Sequence, residues 1–224
     1  MKIKGAIFDM DGTLVDSLMF WDVLWKKIGK IYLKNPDFMP SIELEKAVRT
    51  MIISDAMPYI KKSCNVPVSD EEFLTFGEET LVEFYKTRAK IKDGVIELLD
   101  YLKSIGVKVC IASATNLPYV YISLKETGLS GYFDTVLSCN DIGVGKDRPD
   151  IYIKAKEALG FDESEICVFE DSFVALETAK SAGFLTVGVY DAYNFEQERL
   201  KAASVYYIGK EDKISDLIPY ITND

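Results

Sequence analysis

The sequence predicts an α/β protein: a parallel sheet flanked by helices and interrupted, after its first strand, by an all-helical insert. Three observations lead there. An apolar run, Ile3–Phe8, opens the chain as a short buried strand. From about residue 93 onward one pattern repeats: an amphipathic helix, a glycine that stops it, and a short apolar strand. Between roughly residues 16 and 90 the strand pattern is absent and apolar residues recur at helical spacing.

The insert reads as helices in succession. Leu18, Trp21, Trp25, Ile28 and Tyr32 form one apolar stripe, and Leu44, Ala47, Val48 and Met51 form the next. Ser69-Asp70-Glu71-Glu72 has the form of a capping box and opens a third run through Phe73, Phe76, Leu81 and Phe84. Core packing within the insert is the expected role of its aromatic residues. Beyond it, Asp93 is placed to cap a helix carrying Leu98, Leu99 and Leu102 that ends at Gly106, followed by a strand over Val107–Ala112. A helix near 117–127 stops at Gly128 and leads to Thr135–Leu137. Another starts at Pro149, which suits a first helical turn, stops at Gly160 and leads to Ile166–Phe169. A further helix has Ser172 at its N-cap, stops at Gly183 and leads to Leu185–Val189. Strands that are continuously apolar belong to a parallel sheet covered on both faces.

Composition removes several classes of function. The 224 residues are 48% hydrophobic and 28% charged, the balance of a globular protein with one large domain or a domain and a companion. There are 0 histidines, so Ser-His-Asp and Cys-His triads, histidine-ligated zinc or haem and imidazole acid–base chemistry are all excluded. A formal net charge of -10 without a basic cluster argues against nucleic acid and against anionic membrane surfaces as partners. Cys64, Cys110, Cys139 and Cys167 stand singly, with no C-x-x-C pair, and are expected to be free and mostly buried thiols. No stretch resembles a signal peptide or a membrane span, so a cytoplasmic location is expected.

The chemistry concentrates at strand ends. Strand one runs into Phe8-Asp9-Met10-Asp11-Gly12-Thr13. Alternation along an extended chain would put both carboxylates on one side, where the pair either binds a divalent cation or shares its protons unequally. Ser113 ends the run Ile111-Ala112-Ser113, Lys146 precedes a helix in Gly145-Lys146-Asp147-Arg148-Pro149, and Glu170-Asp171-Ser172 follows Ile166-Cys167-Val168-Phe169. Taken alone, Ser113 and Ser172 are also helix caps and Lys146 a solvated lysine. Together they matter more, because the strand C-termini of a parallel sheet converge on one edge.

Asp9-x-Asp11-Gly12-Thr13, Ser113, Lys146-x-x-Pro149 and Glu170-Asp171-Ser172 resemble, in order and spacing, the four motifs of the haloacid dehalogenase-like superfamily. The match spans essentially the whole chain, and the helical insert resembles the C1-type cap of the branch containing β-phosphoglucomutase and phosphonatase. The resemblance implies a Rossmann-like parallel sheet core at residues 1–15 and 91–224 with an inserted α-helical cap domain at 16–90. It further implies that Asp9 is the nucleophile forming an aspartyl-phosphate and Asp11 the general acid and base. Mg2+ would be held by Asp9, the Asp11 backbone carbonyl, Asp171 and, directly or through water, Glu170. Ser113, the Ala114 amide and Lys146 would bind the phosphate. The implied partner is a small phosphorylated metabolite, and the expected state is a monomer.

The chain departs from near relatives in the cap. The mutase branch uses a cap histidine; counted from strand one, Trp21 stands at that position, which favours discharge of the aspartyl-phosphate to water over sugar-phosphate mutase chemistry. The segment that carries specificity in the family corresponds to Arg49-Thr50-Met51-Ile52-Ile53 and is largely apolar. Trp21, Arg49, Met51 and Ile52 are therefore candidate substrate contacts that favour a partly apolar phosphate monoester. Asp11 weighs against carbon–halogen cleavage. Phosphonatase chemistry would need a cap lysine such as Lys46 or Lys61, and a non-catalytic phosphate-binding module is the alternative from another class. A Mg2+-dependent phosphatase is the expectation.

Overall fold

The computed structural model describes residues 1–49 and 51–222. The chain divides into two compact units, Met1–Ser17 with Ala89–Asp224, and Leu18–Arg88. In chain order, β1 (Gly5–Phe8) and β2 (Val15–Asp16) precede a helical unit of α1 (Phe20–Ile31), α2 (Ile42–Val48), α3 (Ile53–Cys64) and α4 (Asp70–Thr87). The chain continues through β3 (Lys90–Ile91), α5 (Val95–Ser104), β4 (Lys108–Ser113), α6 (Leu117–Glu126), β5 (Thr135–Ser138) and α7 (Cys139–Ile142). It closes with α8 (Asp150–Leu159), β6 (Ile166–Glu170), α9 (Phe173–Ser181), β7 (Leu185–Val189), α10 (Gln197–Ala203) and β8 (Tyr206–Ile208).

Six strands form one sheet in the order β5-β4-β1-β6-β7-β8, with every pairing parallel. This is the α/β architecture with a parallel, Rossmann-like sheet that the strand pattern predicts. All four residues of β1 are buried, as a central strand of such a sheet requires. Alternation divides its side chains between two layers. Ile7, with Val168 of β6 and Cys110 and Ala112 of β4, packs against Ile151, Tyr152, Ala155 and Leu159 of α8. Phe8 points to the opposite face, where its ring stacks on Phe169 at 4.3 Å and meets Phe133 edge-on at 6.2 Å.

Several element boundaries differ from the sequence expectation. Ile3 and Lys4 lie outside β1: Ile3 donates to the Thr222 carbonyl at 3.0 Å and Lys4 to that of Glu165 at 2.8 Å. Asp93 does not cap α5. Gly94 takes that place at φ 82, where an added Cβ would lie 2.5 Å from the Ser215 hydroxyl oxygen, while the Asp93 carbonyl accepts from Ile214 at 3.0 Å. Ser172 stands at the N-cap of α9 without a side-chain capping bond. The strand pattern also misses the antiparallel ribbon of β2 and β3, in which Val15 faces Ile91 and Asp16 faces Lys90. Each partner is two residues long, too short for periodicity to register.

Within the helical unit, Ser69 caps α4 by accepting from the Glu72 amide at 3.1 Å, half of the capping box. The aromatic stripe packs internally, with Tyr32 edge-on to Phe73 at 5.5 Å and to Phe76 at 5.2 Å. The apolar run expected to reach Met51 ends as a helix at Val48, and a separate helix, α3, begins at Ile53. That helix carries Pro58 in its interior, a residue that reads as a breaker in sequence. Gly77 lets α4 approach α3, since a Cβ there would lie 2.5 Å from the Met57 sulfur.

Cys110, Cys139 and Cys167 are buried free thiols and Cys64 is half-buried. Burial pushes the Cys110 thiol up to about 12 and that of Cys139 to about 11. Among the described residues, no helix is long and apolar enough to cross a membrane.

Candidate active site

The order of the sheet decides where a site can form. From β1 the chain builds outward through β4 and β5 on one side, then returns to build β6, β7 and β8 on the other. Helices and loops leaving β1, β4 and β6 therefore diverge, and a crevice opens at the carboxyl ends of these strands. Asp9 follows β1 by one residue, Ser113 is the last residue of β4, Glu170 is the last of β6, and Asp171 comes next. All four are buried, with Asp9 7% and Glu170 1% exposed. Carboxylate oxygens of Asp9, Glu170 and Asp171 lie within 4.8 Å of one another.

Lys146 enters this acidic cluster from the loop between α7 and α8. Its ammonium donates to Asp9 Oδ1 and to Glu170 Oε1, and only 9% of its side chain is exposed, so it is not a solvated surface lysine. Burial opposes its charge, but Asp9 and Glu170 outweigh burial and hold the ammonium well above its ordinary value. Glu170 also accepts from the Tyr152 hydroxyl at 3.2 Å and from the Ser172 amide at 3.3 Å. Burial, together with the Asp9 charge and against the pull of Lys146, raises its carboxyl to about 7. Asp171 accepts from the Thr13 hydroxyl at 3.0 Å and from the Asn194 amide. Burial first, then Asp9, Glu170 and Asp191, push its carboxyl well above the carboxylate range.

Asp11 does not join the other acids. The chain leaves its extended course at Met10, whose carbonyl accepts from Leu14 at 3.0 Å and Val15 at 2.9 Å, so strand alternation no longer governs where Asp11 points. Its Oδ1 accepts from the Ser17 hydroxyl at 2.7 Å and its Oδ2 from the Thr115 hydroxyl at 2.8 Å. Two donors fix this carboxylate in one orientation beside the end of β4. Ser113 does not cap α6: its hydroxyl accepts from the Thr115 amide at 3.0 Å, and Asn116 holds the N-cap. Ala114, between them, is exposed.

The candidates from the insert lie within the helical unit. Trp21 is half-buried on α1, with its ring 5.5 Å from Phe20 and 6.4 Å from Trp25. Arg49 holds the C-cap of α2 and pairs with Glu45 at 2.6 Å. Met51 is half-buried, Ile52 holds the N-cap of α3, and Thr50 lies outside the described residues.

Several polar residues of the site escape motif reasoning. Thr115, Ser17 and Tyr152 hold Asp11 or Glu170, and Asn194 holds Asp171. Asn194 follows β7, and Tyr152 looks like an ordinary core aromatic on α8. The available signal was polar residues just beyond β7, in Asp191-Ala192-Tyr193-Asn194, where a parallel sheet delivers a further loop to the same edge.

Three buried acids lie together, two of them on the Lys146 ammonium, and in this poorly solvated place Glu170 and Asp171 resist ionisation unless further positive charge is supplied. The donors are hard oxygens converging on one point, so the cluster can hold a hard divalent cation.

Comparison with known proteins agrees with this geometry. A curated phosphorylated carbohydrates phosphatase from Thermotoga maritima is 27% identical over 217 residues, covering 96% of this chain and 98% of the relative. A glycerol-1-phosphate phosphohydrolase from Saccharomyces cerevisiae is 24% identical, covering 92% of this chain and 82% of its own. A Thermotoga maritima crystal structure provisionally named β-phosphoglucomutase superposes with a TM-score of 0.78 at 26% identity, covering 98% of each chain. The profile of the haloacid dehalogenase-like hydrolases matches residues 3–183, from β1 through α9, and so takes in every strand end that carries a candidate residue. With fold, strand-end acids and profile in agreement, the chain belongs to the haloacid dehalogenase-like hydrolases and is an enzyme of that family.

Proposed function

We propose that this enzyme is a Mg2+-dependent phosphatase that hydrolyses a small phosphorylated metabolite, a phosphomonoester, through an aspartyl-phosphate on Asp9. The observation that carries the proposal is the buried Lys146 ammonium joining Asp9 to Glu170 beside Asp171, at the carboxyl end of β1. An anionic nucleophile can approach a phosphate only where fixed positive charge offsets the repulsion. Phosphatase names among the relatives support the same class.

In the proposed reaction an Asp9 carboxylate oxygen attacks phosphorus and the bond to the ester oxygen breaks, while Asp11 gives its proton to the departing alkoxide. Water then attacks the phosphorus of the aspartyl-phosphate, Asp11 takes the water proton, and the bond to Asp9 breaks to release inorganic phosphate. Ser113, the Ala114 amide and Lys146 bind the phosphoryl oxygens. Asp9 and Asp171, with the Asp11 carbonyl and Glu170 directly or through water, would hold Mg2+, which when bound neutralises phosphate charge and orients the group for in-line attack.

Residues 16–90 would act as the cap over this chemistry, with Trp21, Arg49, Met51 and Ile52 as the contacts that select the leaving group. Without a histidine to serve a second phosphate transfer, hydrolysis is favoured over mutase chemistry. The test is phosphate release from sugar phosphates, polyol phosphates, nucleotides and a phosphonate, with Mg2+ and with EDTA. Metal-dependent release is expected, and Asp9→Asn is expected to reduce it by ~10^3-fold or more while leaving the thermal midpoint little changed. Release from the phosphonate alone, or release that survives in Asp9→Asn, would overturn the proposal.

A further inference from the structure

Asp171 is gripped at both carboxylate oxygens. Thr13 donates to Oδ1 at 3.0 Å, while the Asn194 side-chain amide donates to Oδ2 and, at 2.8 Å, to the Asp171 main-chain carbonyl. An amide spanning a residue's own carboxylate and carbonyl restricts rotation of that side chain. Asn194 is itself mounted rigidly. Its backbone amide donates to the Asp191 carbonyl at 3.1 Å, Asp191 Oδ1 accepts from the Tyr193 amide at 2.9 Å, and Gln197 donates to the Asp191 carbonyl at 2.8 Å. Tyr207 on β8 donates to Gln197 at 2.9 Å and ties the loop to the sheet.

One ion pair anchors the loop from the other side. Asp191 is 2% exposed and accepts from the Lys92 ammonium at 2.9 Å, which also donates to the Tyr190 carbonyl at 2.7 Å. Lys92 comes one residue after β3, and its backbone amide donates to the Leu14 carbonyl at 2.9 Å. A continuous set of hydrogen bonds thus runs from the end of the β2–β3 ribbon through Lys92, Asp191 and Asn194 to Asp171.

We infer that Asn194 is a positioning residue that sets the Asp171 carboxylate for metal binding, and that the Lys92–Asp191 pair keeps Asn194 in register. The inference rests on the metal-dependent reading above. Mg2+ demands near-ideal octahedral geometry, whereas Ca2+ accepts a loose and variable shell, so loss of orientation penalises Mg2+ more.

The test is calorimetric titration of the protein with Mg2+ and with Ca2+, alongside thermal melts in EDTA. Asn194→Leu is expected to weaken Mg2+ binding by ~10-fold and Ca2+ binding by less than about threefold, with the EDTA melt close to that of the unmodified protein. Asn194→Ser, too short to reach both Asp171 oxygens, is expected to follow the same pattern. Asp191→Asn, which breaks the ion pair but keeps an acceptor for Tyr193, is expected to give a smaller loss of the same kind. An unchanged Mg2+ affinity in Asn194→Leu and Asn194→Ser, or equal losses for the two cations, would overturn the positioning role while leaving the phosphatase reading intact. An unmodified protein that binds no Mg2+ and releases no phosphate would withdraw both.

Discussion

The carboxyl edge of the parallel sheet and the helical unit are built on opposite terms. At the sheet edge, acids and a lysine are buried and answered by named partners: Thr13, Tyr152, Asn194 and Asp191 with Lys92. In the helical unit most buried groups are aromatic and aliphatic, such as Trp25, Met57, Phe73 and Phe84, held by shape. Directional bonds specify where a reacting atom must sit, and shape packing specifies only that a surface exists. On the proposed function, catalytic chemistry would belong to the first region, and selection among substrates could drift in the second without disturbing it.

The sharpest way to break this contrast is at Lys146. Lys146→Met leaves the buried acids without their ammonium, and we expect ~10^2-fold or greater loss of phosphate release with a destabilisation of ~3–5 kcal/mol in metal-free protein. Activity assays paired with denaturant melts check both; near-normal turnover would mean that the charge network is not the catalytic feature.

A second prediction concerns proton linkage in the metal-free enzyme. Glu170 is raised from an ordinary 4.5 to about 7 in the folded protein, so the folded state binds this proton more tightly than the unfolded chain. Its contribution therefore favours folding at low pH and is lost as pH rises from about 4.5 towards 7. The expected outcome is that Mg2+ raises the thermal midpoint more at pH 8 than at pH 5.5, measured by melts with and without EDTA. Equal increments at both pH values would contradict the proposed carboxylate cluster as the metal site.

A third prediction tests shape alone. Gly29 lies where an added Cβ would collide with the Asn35 carbonyl and Phe38, so Gly29→Ala should destabilise the helical unit by ~1–3 kcal/mol. Hydrogen exchange would report this as loss of protection in α1 and its neighbours, with the sheet strands unaffected. The smallest expected effect is that of Met51→Lys, which should change the ranking of substrates by a few-fold, towards more anionic compounds, with little effect on the best rate. An unchanged ranking would reduce the Met51 segment to packing.

The same contrast explains what sequence could reveal. Asp9, Ser113, Glu170 and Asp171 are legible because each ends an apolar run, and parallel topology converts that position into a location. Lys146 is legible only through the resemblance of Lys146-x-x-Pro149 to a family motif, since its place before a helix by itself reads as a solvated lysine. Asn194, Asp191, Lys92 and Thr115 were not found, since each acts from a loop or a connection whose path depends on tertiary contacts. Strand alternation is a weak guide to Asp11, because the chain turns at Met10 and Asp11 stands outside the group formed by Asp9, Glu170 and Asp171. In the helical unit α3 was hidden because Pro58 outweighs a favourable apolar stripe in any local reading, whereas packing of Ala56, Met57 and Ile60 stabilises the helix around it.

The β2–β3 ribbon also bears on modularity. The chain departs after Val15–Asp16 and returns at Lys90–Ile91, and antiparallel partners lie only about 5 Å apart between Cα atoms. A module whose two ends are stapled side by side can be replaced by one of different length or shape at small loop-closure entropy, with the host sheet unaware of the exchange. Two residues of ladder thus make the helical unit a replaceable cassette, joined to its host at a single closed doorway.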